Sequence, residues 1–108
     1  MTIKEYAEQR ATISPLIKGR EKISNDELNG KVITITDFDI VDESAGGFAV
    51  AALEGGFFLF CGQTLTDFLK AVERDGMKEE LQREGLVIKI VKRKSKKSNH
   101  DYYGFDIV

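Results

Sequence analysis

The spacing of hydrophobic and polar residues divides the chain into a short N-terminal part and a longer part with strand-like periodicity. Residues 1–30 show brief stretches of helical spacing, with capping-box patterns at Thr2 with Glu5 and at Ser24 with Glu27. We therefore predict an N-terminal helical arm over residues 1–30 that packs on the domain following it.

From residue 31 onward the period changes to two, the spacing that places apolar side chains on one face of a β-strand. β-Branched and aromatic residues dominate these runs, and helical spacing returns only after Thr64. The pattern breaks near Asp37, where we expect a bend or a β-bulge in a long first strand. The predicted elements are strands over 32–41, 48–53 and 57–61, helices over 64–74 and 77–84, and strands over 86–91 and 102–108.

The order of these elements is strand, strand, strand, helix, strand, strand, with a further short helix before the fourth strand. Strands of this length leave exposed edges unless the sheet closes on itself. This order is the layout of the OB-fold, a small barrel whose second and third strands, with two of its loops, bind oligonucleotides. The predicted fold class is mainly β with α+β content: a five-stranded OB-fold-like closed barrel over 31–108. Another small barrel or an open α+β sheet is the alternative.

The third predicted strand raises a question, because the segment GGFFLFCG at 55–62 is apolar on both of its faces. One set of side chains, either Phe57, Leu59 and Cys61 or Phe58 and Phe60, is expected to fill the interior, and the periodicity fits both arrangements. We favour the first, because Leu59 and Cys61 suit an interior better than a stacking surface. Phe58 and Phe60 then point outward, and exposed rings of this size need a cover. The candidates are the protein's own helix or arm, a second subunit, or nucleobases stacked on the rings.

Composition narrows the class of protein without identifying it. The chain is 42% hydrophobic and 31% charged, as soluble globular domains are, and no apolar run is long enough to span a membrane. The N-terminus carries acidic residues where a signal peptide carries an apolar segment. The single Cys61 cannot form an internal disulfide, which agrees with a reducing compartment. We therefore expect a cytoplasmic protein.

The formal net charge of −2 hides a strong local asymmetry. Acidic residues dominate from Ser24 to Asp67, where Lys31 is the only basic residue. Basic residues then crowd into positions 89–97, directly before Tyr102 and Tyr103. Lysine and arginine neutralise phosphates, so this segment is predicted to contact a nucleic-acid backbone, while the acidic stretch has to face elsewhere.

Three stretches carry a resemblance to a known family: KVITITDFDIVDESAGGFAV, GGFFLFCGQTLTDFLKAVERDG and GLVIKIVKRKSKKSNHDYYGFDIV. Over residues 30–108 the chain resembles the small OB-fold single-stranded-DNA-binding proteins of bacterial phages and mobile genetic elements. The shared features are the strand order, an aromatic strand ending in glycine before Leu-x-x-Phe-Leu, and a lysine-rich loop before Tyr-Tyr. The resemblance implies sequence-tolerant binding of single-stranded DNA during replication, recombination or transfer.

Such binding would combine base stacking on aromatic rings with lysine contacts to phosphates. Phe48 is expected near Phe60 or Gly62 across the hairpin, which would extend the aromatic surface. Tyr102 and Tyr103 point to opposite faces, so at most one of them stacks on a base. The candidate nucleic-acid-binding residues are Phe48, Phe58, Phe60, Lys89, Lys92, Arg93, Lys94, Lys96, Lys97, Tyr102 and Tyr103.

The sequence shows no pattern typical of catalysis or metal binding. His100 has no second histidine with which to build a metal site, and no Ser/His/Asp spacing is evident. We therefore expect no enzyme, no metal and no cofactor, with single-stranded DNA as the partner and RNA as the alternative ligand. A homodimer, or a protein partner from replication or recombination, is compatible with this reading. The rival hypothesis is a protein-interaction or dimerisation module whose interface is the aromatic strand.

Overall fold

The computed structural model describes residues 2–3, 15–41, 46–97 and 100–108. The strands are β1 (Glu21–Lys22), β2 (Val32–Val41), β3 (Phe48–Leu53), β4 (Phe57–Phe60), β5 (Leu86–Lys94) and β6 (Asp101–Ile107). The helices are α1 (Asn25–Leu28), α2 (Gln63–Arg74) and α3 (Lys78–Glu84), and a 3-10 turn covers Pro15–Ile17. A capping box is also predicted at Thr2 with Glu5, but Glu5 lies outside the described residues.

The strands and helices predicted after residue 30 are all present, with one informative difference in length. β5 continues to Lys94, past the predicted end at Val91. Its last residues pair with β6 in a regular antiparallel ladder, in which Lys94 lies opposite Asp101. The backbone ladder does not require apolar side chains, so the apolar pattern ended before the strand did.

The sheet is six-stranded and open, with the order β1-β4-β3-β2-β5-β6. The expectation of a five-stranded closed barrel is therefore not confirmed. β1 supplies the additional strand, because Glu21 and Lys22 of the predicted arm pair in parallel with Phe57 and Phe58. The pair Glu-Lys carries no alternating pattern, so this strand was missed, and the arm is only partly helical in its described part.

The irregularity predicted near Asp37 is a β-bulge. The register between β2 and β3 shifts between Ile35, which faces Leu53, and Asp37, which faces Ala52. Before the bulge, β2 also pairs with β5. The pairing with β5 ends at Ile35, opposite Leu86, the first residue of β5, and α3 packs against β2.

The hydrophobic core lies on the face of the sheet that α2 and α3 cover. α2 contacts β2, β3 and β6, and its apolar residues include the buried Leu65 and Leu69. The bulge keeps Ile35 and Phe38 on this same face although they are three positions apart, and both side chains are fully buried. The remaining members of the core are Leu28, Ala49, Ala51, Leu53, Leu59, Cys61, Leu81, Ile88 and Ile90.

The short helix α1 begins with the predicted capping box. The Ser24 Oγ accepts a hydrogen bond from the Glu27 backbone N–H at 3.2 Å, and the Glu27 carboxylate accepts one from the Ser24 N–H at 3.0 Å. Leu28 anchors the helix in the core. None of the helices in the described ranges is long and apolar enough to cross a membrane.

Candidate nucleic-acid interface

The two faces of β4 are occupied as the sequence predicted. Leu59 and Cys61 point into the core and are 1% and 8% exposed. Phe57 also packs against the core, from its margin. Phe58 and Phe60 alternate with these residues and lie on the opposite, outer face of the sheet.

On the outer face, three phenylalanines form a continuous cluster, which we call the aromatic surface (Phe48, Phe58 and Phe60). The ring centroids of Phe48 and Phe60 are 5.9 Å apart, and those of Phe58 and Phe60 are 5.5 Å apart. Both pairs meet edge to face, an arrangement that aromatic quadrupoles favour. The predicted proximity of Phe48 to Phe60 is therefore present.

The protein itself covers part of this outer face. The 3-10 turn Pro15–Ile17 packs on β2, β3 and β4. Val50 has no exposed surface, and Phe58 is only 8% exposed. The structure therefore does not present Phe58 as a stacking residue, in contrast to the sequence prediction. Phe48 and Phe60 are half-buried and keep part of their rings accessible.

Lys22 completes the aromatic surface and was missed by the sequence prediction. Strand β1 brings its ammonium group to 5.0 Å from the centre of the Phe60 ring, within the range of a cation–π contact. The Arg20 guanidinium fastens this segment by donating a hydrogen bond to the Leu53 carbonyl at 3.0 Å. The sequence around Lys22 does not indicate this contact, because the position of Lys22 over the Phe60 ring depends on the parallel pairing of β1 with β4.

The second candidate surface is the antiparallel pair β5–β6 with its connecting turn, which we call the basic hairpin (residues 89–103). Two of its cations have anionic partners: the Lys92 ammonium lies 3.7 Å from the Asp101 carboxylate, and Arg93 pairs with Asp106. Within the described ranges, no ion pair is formed by the other predicted cations, which are exposed or at the turn: Lys89, Lys94, Lys96 and Lys97.

The two tyrosines of the basic hairpin point to opposite faces, as predicted. Tyr102 is 42% exposed on the outer face, beside Arg93 in the register. Tyr103 is half-buried, packs against the core and has the Lys92 ammonium 5.9 Å from its ring centre. Tyr102 is thus the tyrosine available to a base, while Tyr103 anchors the hairpin.

The segment that follows β4 touches the basic hairpin. Gly62, two residues after Phe60, lies against the backbone of Tyr103, so a Cβ added to Gly62 would be 3.8 Å from the Tyr103 carbonyl oxygen. The segment around α1 links β4 to β5. The Asn25 side chain donates to the Phe60 carbonyl at 3.3 Å, and the Asn29 side chain accepts from the Lys92 N–H at 3.0 Å.

The described acidic residues of β2 contact α3. The Asp37 carboxylate accepts a hydrogen bond from the Gln82 side chain at 2.9 Å. The Asp39 carboxylate is 3.4 Å from the Lys78 ammonium, which in turn lies 3.7 Å from Glu73. Asp42 and Glu43 of the predicted acidic stretch lie outside the described residues. The two aspartates are therefore held by polar partners on α3.

Cys61 belongs to the core and has no nucleophilic character at neutral pH. Burial raises the pKa of its thiol to about 12, because desolvation penalises the thiolate. His100 is exposed on the basic hairpin. Among the residues that the structure describes, no three His, Cys, Asp or Glu side chains are grouped so as to hold a metal ion.

Comparison with known proteins returned no relative of this chain. No family model matches it, and neither a curated protein nor a solved structure does so. The chemistry of the surface is therefore interpreted from its own residues.

Proposed function

We propose that this protein binds single-stranded DNA without sequence preference, using the aromatic surface and the basic hairpin together. The observation that supports this most directly is the contact between Gly62 and Tyr103. It connects the segment that follows the partly exposed Phe60 ring with the hairpin that carries the lysines. Stacking rings beside phosphate-binding cations are the combination by which proteins hold single strands irrespective of sequence.

In this proposal the lysines act first. The cations that form no ion pair within the described ranges (Lys89, Lys94, Lys96 and Lys97) attract the phosphate backbone and release counterions. Bases then stack on the accessible parts of Phe48 and Phe60 and on Tyr102, each base contributing about 1–3 kcal/mol. Phe58 supports the Phe60 ring from beneath the surface.

The fold proposed for this function is an OB barrel whose seam lies between β6 and the end of β4 that β1 leaves unpaired. Three features agree with an OB-fold: β2 pairs with both β3 and β5, β5 pairs with β6, and α2 follows β4. Gly62 lies close to Tyr103, and closing such a barrel would require the strands on either side of this contact to pair. The resemblance to phage and mobile-element proteins supports a role in replication, recombination or transfer of DNA inside the cell.

The decisive experiment is a fluorescence-anisotropy titration with a labelled oligo-dT at two salt concentrations, beside an oligo-U and a DNA duplex of the same length. We expect the single strands to bind more tightly than the duplex, because paired and stacked bases hide their faces from aromatic side chains. We also expect binding to persist in EDTA. Equal or tighter duplex binding would contradict the stacking mechanism.

The same titration tests the rival hypothesis of a protein-interaction module. If a homodimer forms through Phe48 and Phe60, its dimerisation affinity should rise or stay constant with added salt, since salt does not screen apolar association. Oligo-dT affinity would instead fall steeply with salt. Sedimentation at both salt concentrations, with and without oligo-dT, separates the two. Self-association without any oligo-dT binding would replace the proposed function by the rival.

A further inference from the structure

An apolar groove lies between α2 and α3, on the helical side of the sheet and away from the outer face that carries the aromatic surface. Phe68 and Val72 of α2 form one wall, and Met77 and Leu81 form the other. Met77 is 46% exposed although its side chain is apolar. Leu86 and Gly85 complete the lining, where the chain leaves α3 for β5.

Two carboxylates line the same groove. Glu80 and Glu84 are four positions apart on α3 and therefore lie on one face of the helix, beside Leu81. In the described part of the chain Glu80 has no ion pair, and Glu84 has only the exposed Arg83 at 4.0 Å. The other lining residues are uncharged, so the groove combines an apolar floor with negative charge that no cation of its lining neutralises.

The size of the groove favours a side chain over a small molecule as its occupant. Its volume is about 190 Å³, below the range of about 300–1,000 Å³ that small-ligand sites occupy. A flexible methionine at the rim is typical of surfaces that adapt to peptide side chains. Amphipathic helices insert apolar anchors at i, i+3, i+4 and i+7 into grooves of this kind.

We propose that this groove docks a basic amphipathic helix of a partner protein. An apolar side chain of that helix enters between Phe68 and Met77, and lysine or arginine residues beside it pair with Glu80 and Glu84. The charge of the groove selects this occupant over a neutral or acidic helix. The groove starts at Phe68, in the middle of α2, whereas Gly62 and Tyr103 meet before the first turn of that helix, so the groove and the proposed nucleic-acid interface do not overlap. The inference does not depend on the proposed function.

The test uses a synthetic helix-forming peptide of about 14 residues, with leucine at i, i+3, i+4 and i+7 and lysine elsewhere. The chain contains two methionines, Met1 and Met77. The methyl resonance of Met77 in labelled full-length protein is therefore a local probe, with Met1 as its internal control. We expect peptide addition to shift the Met77 signal, and a peptide with glutamate in place of lysine to leave it unchanged.

Matched charge reversals on α3 give the second readout. Glu84→Lys and Glu80→Lys are each expected to weaken peptide binding about fivefold or more. Glu79→Lys makes the same change in net charge at an exposed position of α3 that does not line the groove, and it should bind as the parent does. Circular dichroism and thermal melting confirm that each variant is folded; if a reversal unfolds the protein, Glu84→Gln replaces it, with a smaller loss expected.

Three results would overturn the proposal. The Met77 signal could stay fixed during the titration, or the Glu79→Lys variant could lose as much affinity as Glu84→Lys. The Met77 signal could also shift on raising the protein concentration without peptide, which would show that a second copy of the chain occupies the groove. Oligo-dT added to the complex should leave peptide affinity unchanged, and this holds whether or not the protein binds oligo-dT.

Discussion

The segment that follows the aromatic surface touches the basic hairpin at Tyr103, but the side chains of the two surfaces are held in different ways. Phe60 sits between Phe48 and Phe58 with Lys22 over its ring, so packing fixes its position. The ion pairs of the basic hairpin are made with exposed carboxylates. Packing therefore fixes the side chains of the aromatic surface, whereas the basic hairpin consists of charged side chains exposed to solvent. We expect substitutions in the two surfaces to have different effects on oligo-dT affinity and on its salt dependence.

The same contrast exists within β4 alone. Leu59 points into the core and Phe60 points outward, although they are neighbours in sequence. A change at Leu59 acts on folding, whereas a change at Phe60 acts on the proposed interface. The following variants test these contrasts and are given in order of the expected size of their effect on stability or on oligo-dT affinity, from the largest to the smallest.

Leu59→Ala should lower the free energy of unfolding by about 2–5 kcal/mol, because it opens a cavity in a fully buried site. Urea unfolding followed by circular dichroism measures the loss. Oligo-dT affinity, measured in the absence of urea, should stay close to that of the parent. A loss below about 1 kcal/mol would mean that the inward face of β4 is loosely packed.

Phe60→Ala should weaken oligo-dT binding by about 1–3 kcal/mol and leave its salt dependence unchanged, because a stacked base contributes without a charge. Phe60→Tyr keeps the ring and should restore affinity, whereas Phe60→Leu keeps only the apolar surface and should not. Equal affinity of the Leu and Tyr variants would show that the ring face is not what the ligand contacts. Phe68→Ala is the control, as that ring packs against Phe105 on the helical side.

Replacing Lys94, Lys96 and Lys97 together with alanine should reduce the slope of log affinity against log salt by about 2, since each phosphate contact on a single strand contributes about 0.7. Anisotropy over a series of salt concentrations measures the slope. A triple variant with the same change in net charge, at the exposed Lys18, Lys31 and Arg83, is the control. Equal slopes for the two triple variants would mean that net charge, and not the basic hairpin, controls binding.

The raised pKa of Cys61, on the inward face of β4, should make the stability of the protein depend on pH. The unfolded thiol ionises near the ordinary cysteine pKa of 9.0, while burial in the folded protein raises that pKa to about 12. Unfolding between these values releases a proton, so the stability linked to Cys61 is complete below pH 9 and is lost as the pH rises towards 12, by up to about 1.4 kcal/mol per pH unit. Denaturant unfolding at about pH 8, 9 and 10 should show a steeper decline for the parent than for Cys61→Ala. If the stability of the parent and of Cys61→Ala declines equally with pH, the Cys61 thiol is in contact with water in the folded protein.

Asp106→Asn should strengthen oligo-dT binding by roughly twofold to fivefold, because it releases Arg93 from its ion pair at an exposed site. Glu79→Gln removes one negative charge from the exposed surface of α3 and should change affinity less. If the two variants bind equally, Arg93 does not contact the nucleic acid. If Asp106→Asn binds more weakly than the parent, the ion pair instead holds the hairpin in its binding geometry.

Much of the fold could be predicted from local patterns. The alternating and helical spacings predicted the strands and helices after residue 30, because the periods of two and 3.6 follow from backbone geometry. The bulge near Asp37 was predictable for the same reason, since it restores the inward position of Phe38 after Ile35. The spacing of β4 fitted either face inward. The structure has the favoured arrangement, with Leu59 in the core and Phe60 on the outer face.

Other features depend on contacts between residues far apart in the chain. Closure of the sheet could not be predicted, because strand order along the chain is the same for an open sheet and for a barrel. The burial of Phe58 depends on what packs over the outer face of the sheet, and the place of Lys22 over Phe60 depends on the pairing of β1 with β4. The partners Asp101 and Asp106, which neutralise two of the predicted cations, likewise come from the register of β6.

By itself, the sequence determined which residues are apolar, charged or aromatic, and which strands and helices they form, because these properties act over a few neighbouring positions. Only the tertiary structure decided which aromatic rings remain accessible, which cations of the basic hairpin meet a carboxylate, and that the segment after Phe60 touches the hairpin at Tyr103. Those outcomes depend on burial and on distances across the sheet, and no local pattern encodes either.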